Sequence, residues 1–164
     1  MPGLFFSRGR VVIMDAVGFS ANFSLRYQLA IASQSETVAH LPNRSLERAL
    51  AAARTADANR GRDIVILDLR ELTQVFDYFV LVTGSSRRQL HAISEEIDRT
   101  LEQDYHDRRL GIEGYAESRW ILLDYGDIVV QMFDPETREY YSLEDLWSGA
   151  KRVPFEPEPR LGPS

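Results

Sequence analysis

The sequence of 164 residues contains no cysteine. This absence excludes disulfide bonds, thiolate nucleophiles and cysteine-ligated zinc, and it fits a reducing compartment. Histidine is scarce, and His91 and His106 do not have the i, i+4 spacing of zinc ligands on a helix. We expect both histidines to face solvent and predict no metal site.

Long apolar runs are also missing. No stretch approaches the roughly 18–20 apolar residues that a membrane-spanning helix needs. The apolar run near the N-terminus, Val11–Met14, is interrupted at once by Asp15, whereas a signal peptide has a longer apolar core. We therefore predict a cytoplasmic protein that neither crosses a membrane nor is secreted.

Positive charge is in the minority and is unevenly distributed. The chain has a formal net charge of −6, with 14 Lys and Arg against 21 Asp and Glu in residues 45–152, which gives −7. The flanks, residues 1–44 and 153–164, carry +2 and −1. Nonspecific affinity for nucleic acid depends on Lys and Arg that neutralise phosphates. We predict no such binding, and expect a basic protein as the partner.

The chain length favours a single domain with appendages. We place the domain at residues 45–152. Residues 1–44 are predicted to be a disordered extension or the product of a start codon placed too far upstream. Since they carry four Arg against two acids, an organellar presequence, and hence an organellar matrix location, is the alternative. The Pro-rich residues 153–164 are predicted to be a disordered tail.

Hydrophobic periodicity within the domain predicts an α/β (α+β) fold: a mixed sheet of four to five strands covered by helices. The predicted helices are a first one capped by Ser45 and closed by Gly61, a long one after Ser86 that ends near Tyr105, and short ones from Pro135 and Leu143. The predicted strands are Ile64–Leu69, Asp77–Thr83, Ile112–Glu117, Trp120–Asp124 and Ile128–Phe133. Ser86 and Gln89 have the spacing of a capping box. Gly126 occupies the strained position of the turn in the last hairpin.

Two segments are candidates for chemistry. A strand-to-helix turn such as residues 83–86, Thr-Gly-Ser-Ser, can bind phosphate, but it lacks the glycine and lysine spacing of nucleotide-binding loops. We interpret it as a turn and a helix cap. Asp124 and Asp127 flank the hairpin turn, where a metal pair is an alternative to aspartates that bond their own backbone. We predict no catalytic residues and no cofactor.

Trp120 shares one face of its predicted strand with Leu122 and Asp124, whereas Leu123 and Tyr125 lie on the other face. If the Leu123 face is the core, Trp120 lies on a partly open face, which is typical of an interface anchor. The alternative is that Trp120 simply covers the core. An exposed aromatic face also predicts a homodimer when the protein is free.

Several blocks at consistent spacing together resemble one family. They are Asp63-Ile64, Leu67-Asp68, Asp77 to Val80, Thr83 to Arg87, Glu113-Gly114, Trp120 to Asp127, and Arg138 through Tyr141 to Leu143-Glu144 and Leu146-Trp147. In this order they resemble the ribosomal silencing factor (Iojap) family of bacteria and organelles, over about residues 45–150. The strand after the turn usually reads Val-Val-His in that family, whereas here it reads Val129-Val130-Gln131.

The resemblance implies a translational repressor without enzymatic activity. Such a factor binds the large ribosomal subunit through its ribosomal protein fourteen and keeps the two subunits apart. It also implies a fold similar to nucleotidyltransferases but without their catalytic carboxylates. An assembly factor for the large subunit and a nucleotidyltransferase-like enzyme are the alternatives. The expected partner-binding residues are Trp120, Asp124, Tyr125, Asp127, Gln131, Arg138 and Tyr141.

Overall fold

The structure is a computed structural model in which residues 18–32, 44–157 and 159 are described. Over these residues the helices are α1 (Ala21–Ala32), α2 (Ser45–Ala58), α3 (Arg87–Tyr105), α4 (Pro135–Tyr141) and α5 (Leu143–Leu146). The strands are β1 (Arg62–Asp68), β2 (Tyr78–Thr83), β3 (Gly111–Glu113), β4 (Trp120–Asp124), β5 (Ile128–Phe133) and β6 (Lys151–Val153). No described helix is long and apolar enough to cross a membrane.

The strands form one mixed sheet in the order β3-β4-β5-β2-β1-β6. The central strands β2 and β5 run parallel, and every other neighbouring pair is antiparallel. Every residue of β2, β4 and β5 is buried, because helices or loops cover both faces of the sheet. The predicted fold class is confirmed, but the sheet has six strands instead of four or five. The additional strand β6 has only three residues, too few to show a period.

Helices α2 and α3 cover one face of the sheet. Between these helices and the sheet lies the first core cluster, in which Leu90, Ile93, Ile97 and Leu101 of α3 form a fully buried stripe. Ser86 caps α3 by accepting a hydrogen bond from the Gln89 backbone N–H, 3.2 Å away. In contrast, Ser45 does not cap α2: it is the first helical residue, and its hydroxyl donates to Asp77.

The opposite face of the sheet is covered by α1, α5 and the loop that joins β1 to β2. Together they enclose a second core cluster, rich in aromatic rings. Phe23, Tyr27 and Ala30 of α1 are buried in it. The prediction of disorder for residues 1–44 is therefore wrong for residues 18–32, while residues 1–17 and 33–43 lie outside the described residues.

The boundaries of the C-terminal segment and of the edge strand β3 also differ from the prediction. Val153 pairs with Ile66 in the sheet, and Phe155 packs against the first core cluster. The ordered part of the chain thus extends past residue 152, whereas residues 158 and 160–164 lie outside the described residues. The predicted strand Ile112–Glu117 is shorter and shifted, since β3 covers Gly111–Glu113.

Candidate functional site

The β4–β5 hairpin presents six side chains toward the second core cluster, and we call this surface the hairpin face. Its members are Trp120, Leu122, Asp124, Val129, Gln131 and Phe133. The antiparallel register places Trp120 opposite Phe133, Leu122 opposite Gln131, and Asp124 opposite Val129. Since alternate residues of a strand share a side, this register brings three of the predicted site residues together.

Trp120 is almost completely covered, with 4% of its surface exposed. Its ring contacts three others: Phe133 at 5.1 Å between centroids, Tyr141 at 4.8 Å, and Phe19 at 5.0 Å in an edge-to-face arrangement. The expectation of a partly open face is wrong in this structure. Phe19 lies just before α1, in the segment for which the sequence predicts disorder.

Gln131 gives the hairpin face a buried polar group. Its Oε1 accepts a hydrogen bond of 3.1 Å from the Trp120 indole N–H. The amide is fully buried, and its Nε2 has no hydrogen-bond partner among the described residues. A buried donor without a partner carries a desolvation cost. Gln131 therefore orients the Trp120 ring inside the protein and has no access to a partner in this state.

Asp124 lies at the far end of β4 and is paired inside the chain. Its carboxylate accepts a bond of 2.5 Å from the Arg26 guanidinium and a bond of 2.9 Å from the Gly126 backbone N–H. The second nitrogen of the Arg26 fork donates to the Gly126 carbonyl. The bond to Gly126 confirms that this aspartate caps its own turn. Arg26 adds an ion pair across nearly one hundred residues of chain.

Asp127 is also paired, on the other side of the turn. Arg48 of α2 donates to Asp127 at 2.5 Å and to Asp107. The Asp127 side chain keeps 40% of its surface exposed. Among the described residues no group of three or more His, Asp or Glu side chains could hold a metal ion. Both aspartates at the hairpin turn therefore have arginine partners, and Arg48 is shared between Asp127 and Asp107.

Tyr125 faces away from the hairpin face, as the strand alternation predicts. It belongs to the first core cluster, and its hydroxyl donates to Asp98 of α3 at 3.0 Å. Burial, together with the nearby Asp98 carboxylate, raises the pKa of Tyr125 well above its ordinary value. Tyr125 therefore fixes α3 to the sheet, and the structure does not bring it together with Trp120.

Arg138 connects three parts of the fold. Its guanidinium donates to Glu144 at 2.6 Å, to the Thr83 hydroxyl at 3.1 Å and to the Asp63 carbonyl at 2.9 Å. Only 10% of its side chain is exposed. This geometry holds α4 and α5 against the ends of β1 and β2, which leaves little of Arg138 available to a partner.

A groove opens beside the Trp120 end of the hairpin face. It has a volume of about 620 Å³. The lining residues are Gly18, Gly114, Glu117, Arg119, Trp120, Glu136, Thr137, Tyr140 and Tyr141. Tyr140 is 74% exposed and stands edge-to-face on Tyr141, with ring centroids 5.0 Å apart. Burial and the neighbouring Tyr140 raise the pKa of Tyr141. The groove combines aromatic rings with acidic side chains, which suits a basic or aromatic segment of a partner.

The turn at residues 83–86 serves the fold. The Ser85 backbone N–H, which could have bound a phosphate, donates to the Gln89 side chain at 2.7 Å. A Cβ added to Gly84 would lie 2.5 Å from Leu90. These contacts support the interpretation as a turn and a cap. The expectation for His91 is wrong, because its ring stacks on Tyr115 at 4.0 Å and bonds to Ser118. His106 is exposed as expected.

Sequence reasoning missed the residues that cover the hairpin face. Phe19, Phe23 and Tyr27 recur every four residues, which is the signature of a helical apolar stripe. The stripe lies in residues 1–44, for which the charge composition favours a disordered extension or a presequence. Arg26 could not have been identified in this way, since nothing in the sequence links it to Asp124.

Known proteins similar to the chain point to one family. Residues 42–162 match the family described as "Ribosomal silencing factor during starvation". The chain is 41% identical over 100 residues to "Ribosomal silencing factor RsfS" of Bacillus subtilis, covering 60% of this chain and 83% of that protein. It is 35% identical over 90 residues to the mouse "Mitochondrial assembly of ribosomal large subunit protein 1", covering 54% of this chain and 40% of that protein.

A solved structure agrees with these relatives. The crystal structure of a Chromobacterium violaceum protein superposes with a TM-score of 0.60 at 33% identity, covering 67% of this chain and 90% of that one. The chain therefore belongs to the ribosomal silencing factor family, which implies regulation of translation at the ribosome.

Proposed function

We propose that the chain binds the large ribosomal subunit through ribosomal protein fourteen and blocks joining of the small subunit. The observation that carries this proposal is the family match over residues 42–162. The mechanism is steric, because two bodies cannot occupy one intersubunit surface. It requires binding alone and no chemical step.

The charges and the groove support a basic protein as the partner. The domain carries −7, and exposed acids Glu117, Glu136 and Glu139 lie at or near the groove beside Trp120. Glu136 is 83% exposed even though it pairs with Arg119. Opposite charges steer association and set orientation, while an aromatic side chain at the centre supplies most of the affinity. Tyr140 is the exposed aromatic residue best placed for this role.

The test is co-sedimentation of the protein with purified large subunits, using Tyr140→Ala as the variant. We expect its affinity to fall by roughly tenfold or more, as interface aromatic residues typically give at least about 1–2 kcal/mol. The control is Gln103→Ala, an exposed residue on α3 behind the other face of the sheet. Binding of wild-type protein that cannot be detected at micromolar concentration would contradict the proposal.

A role in assembly of the large subunit is the second candidate. It is favoured by the name of the mouse relative, which refers to assembly of the mitochondrial large subunit. The two roles differ in when the protein binds. Sedimentation profiles of cells that lack the gene distinguish them, because an assembly role predicts precursor particles even during rich growth.

A further inference from the structure

We propose that residues 18–32 are an intramolecular cover of the hairpin face, and that the ribosomal partner must displace them to engage this face fully. The inference rests on the proposed function, because it names a regulatory step of the same surface. It assigns a role to a segment that precedes the family match, which begins at residue 42.

The cover contacts the hairpin face at both ends of β4. Phe19 lies edge-to-face on Trp120 at the start of the strand. Arg26 pairs with Asp124 at the end of the strand, and its second nitrogen donates to the Gly126 carbonyl. Between these two contacts, Phe23 and Tyr27 pack into the second core cluster. Trp120 and Asp124 are therefore buried by this segment together with the domain itself.

The cover offers the chemistry that we expect from the partner. It places one aromatic ring on Trp120 and one guanidinium on Asp124, on a segment whose charge is opposite to that of the domain. A basic partner could offer a guanidinium to the same Asp124 carboxylate. Since both cannot occupy the face at once, binding of the cover and binding of the partner are competitive.

Phe23 and Tyr27 anchor the cover in the second core cluster, but three other features of this segment favour its displacement. Helix α1 has 12 residues, a length at which an isolated helix is marginal in water. The Arg26 side chain keeps 22% of its surface exposed, so water can reach its ion pair with Asp124. On the outer side Leu25 and Leu29 are more than half exposed and contribute little to packing. Only molecules with the cover displaced can bind the partner fully. The apparent affinity is therefore the intrinsic affinity multiplied by the fraction of open molecules.

The test uses the full chain with the paired change Phe19→Ser and Arg26→Glu, which removes the ring and places a carboxylate beside Asp124. The matched control is Leu25→Ser with Arg54→Glu, which replaces one apolar side chain by serine and one arginine by glutamate at exposed positions. A milder single variant, Arg26→Gln, is measured in parallel, because it keeps the apolar contacts of the cover and hence the stability of the fold.

The chain contains two tryptophans, and both report on the cover. Trp120 contacts Phe19, and Trp147 contacts Tyr27 with ring centroids 6.1 Å apart. Displacement exposes both indoles, so we expect a red shift of the tryptophan emission in the paired variant at an unchanged far-ultraviolet circular dichroism of the sheet. The control should keep the wild-type emission.

The second measurement is the dissociation constant for purified large subunits. We expect the paired variant to bind at least about fivefold more tightly than wild type, with Arg26→Gln between the two, since the competent fraction rises. Equal or weaker binding by a variant whose emission has shifted would overturn the inference, because the segment would then not compete. An emission that does not shift would overturn it as well, since these contacts would not be what covers Trp120.

Two further outcomes are distinguishable. If wild type and all variants fail to bind large subunits, the proposed function fails, and the competition fails with it. If the opened variant instead sediments as a dimer that ignores the subunits, the hairpin face is a self-association surface, and the inference is overturned while binding by wild type can still stand.

Discussion

At the scale of single residues, Trp120 has a structural task that precedes any role in binding. Its ring joins Phe19, Phe133 and Tyr141, and its indole N–H satisfies the buried Gln131 carbonyl. A substitution here tests the core before it tests an interface. A loss of ribosome binding in Trp120→Ala would therefore be ambiguous unless the stability is measured first.

We predict that Trp120→Ala lowers the free energy of unfolding by about 3–5 kcal/mol, as large buried aromatic residues do. Trp120→Phe keeps most of the ring but leaves the Gln131 carbonyl without its donor, so we expect a smaller loss of about 1–3 kcal/mol. Denaturant titration followed by circular dichroism measures both. Tyr140→Ala, at an exposed site, is the control and should change the stability little. A Trp120→Ala protein as stable as this control would contradict the burial described here.

Asp134 predicts a dependence of stability on pH. Burial works to raise its pKa, but hydrogen bonds from Thr137 and the Arg119 guanidinium outweigh burial, so the pKa lies below its usual value. A carboxylate with a lowered pKa in the folded state contributes stability above the pKa of the unfolded state. That contribution is lost as the pH falls through the folded pKa.

We therefore expect Asp134→Asn to flatten the loss of stability below about pH 4. Asparagine can still accept the Thr137 N–H bond as a helix cap, so the structure of α4 should persist. Thermal unfolding between pH 5 and pH 2 measures the effect. Arg119→Gln, which removes one of the stabilising partners, should give part of the same flattening. A wild-type slope retained in Asp134→Asn would contradict the assignment.

Residue types and strand alternation predicted much of the candidate site. The placement of Trp120 and Asp124 on one face, and of Tyr125 on the other, follows from the period of a strand, and the structure has this arrangement. The burial of Trp120 could not be derived in the same way. It depends on Phe19, which approaches from about one hundred residues earlier in the chain and leaves no trace in the local pattern.

At the scale of elements, the turn before β4 depends on Gly114. Its φ is +70°, and a Cβ at this position would lie 2.0 Å from the Trp120 carbonyl oxygen. The Trp120 carbonyl belongs to the backbone of β4, so it cannot move away from an added Cβ unless the strand shifts. The close approach therefore fixes where Trp120 enters the sheet and where the groove begins.

We predict that Gly114→Ala lowers the free energy of unfolding by about 3 kcal/mol or more, because it adds a backbone clash to a strained dihedral. Gly126→Ala is the matched comparison. Gly126 has φ +94°, but its nearest added contact is the end of the Leu110 side chain at 3.4 Å. We expect only the dihedral cost there, about 1–2 kcal/mol. Equal costs at the two glycines would show that the clash has been relieved by a movement of β4.

The elements with strong periods were predicted well, and the short ones were not. The bounds of β4 and β5 agree with the sequence prediction. The glycine turn between the two apolar runs defines where β4 ends and where β5 begins. Strand β6 is three residues long and is specified by its pairing with β1, which is a tertiary contact. Helix α1 was missed because its apolar stripe lies in a segment with a different overall charge.

At the level of the whole molecule, we expect the net charge of −6 to influence how the protein approaches a basic partner. The pairing of Asp124 with Arg26 and of Asp127 with Arg48 reduces the share of these two residues in the field of the protein. Exposed acids such as Glu117 and Glu139 form no ion pair with the residues that the structure describes. We expect these acids, and Glu136 at the groove, to attract a basic partner over a distance.

We predict that the association rate with large subunits falls as salt rises from about 50 to 300 mM, since the screening length shortens over this range. The dissociation rate should change much less. Stopped-flow or surface-based kinetics measure both, and the paired variant Glu117→Gln with Glu136→Gln should reduce the slope. An association rate independent of salt would mean that charge does not guide the encounter.

In the proposed function, the protein keeps the two ribosomal subunits apart by occupying the large one. Light scattering of purified large and small subunits, mixed at a magnesium concentration that favours joining, tests it most directly. We predict that preincubating the large subunit with the protein lowers the scattering increase in proportion to its occupancy. Preincubating the small subunit with the protein should not lower it further. Subunits that join to the same extent at saturating protein would contradict the account.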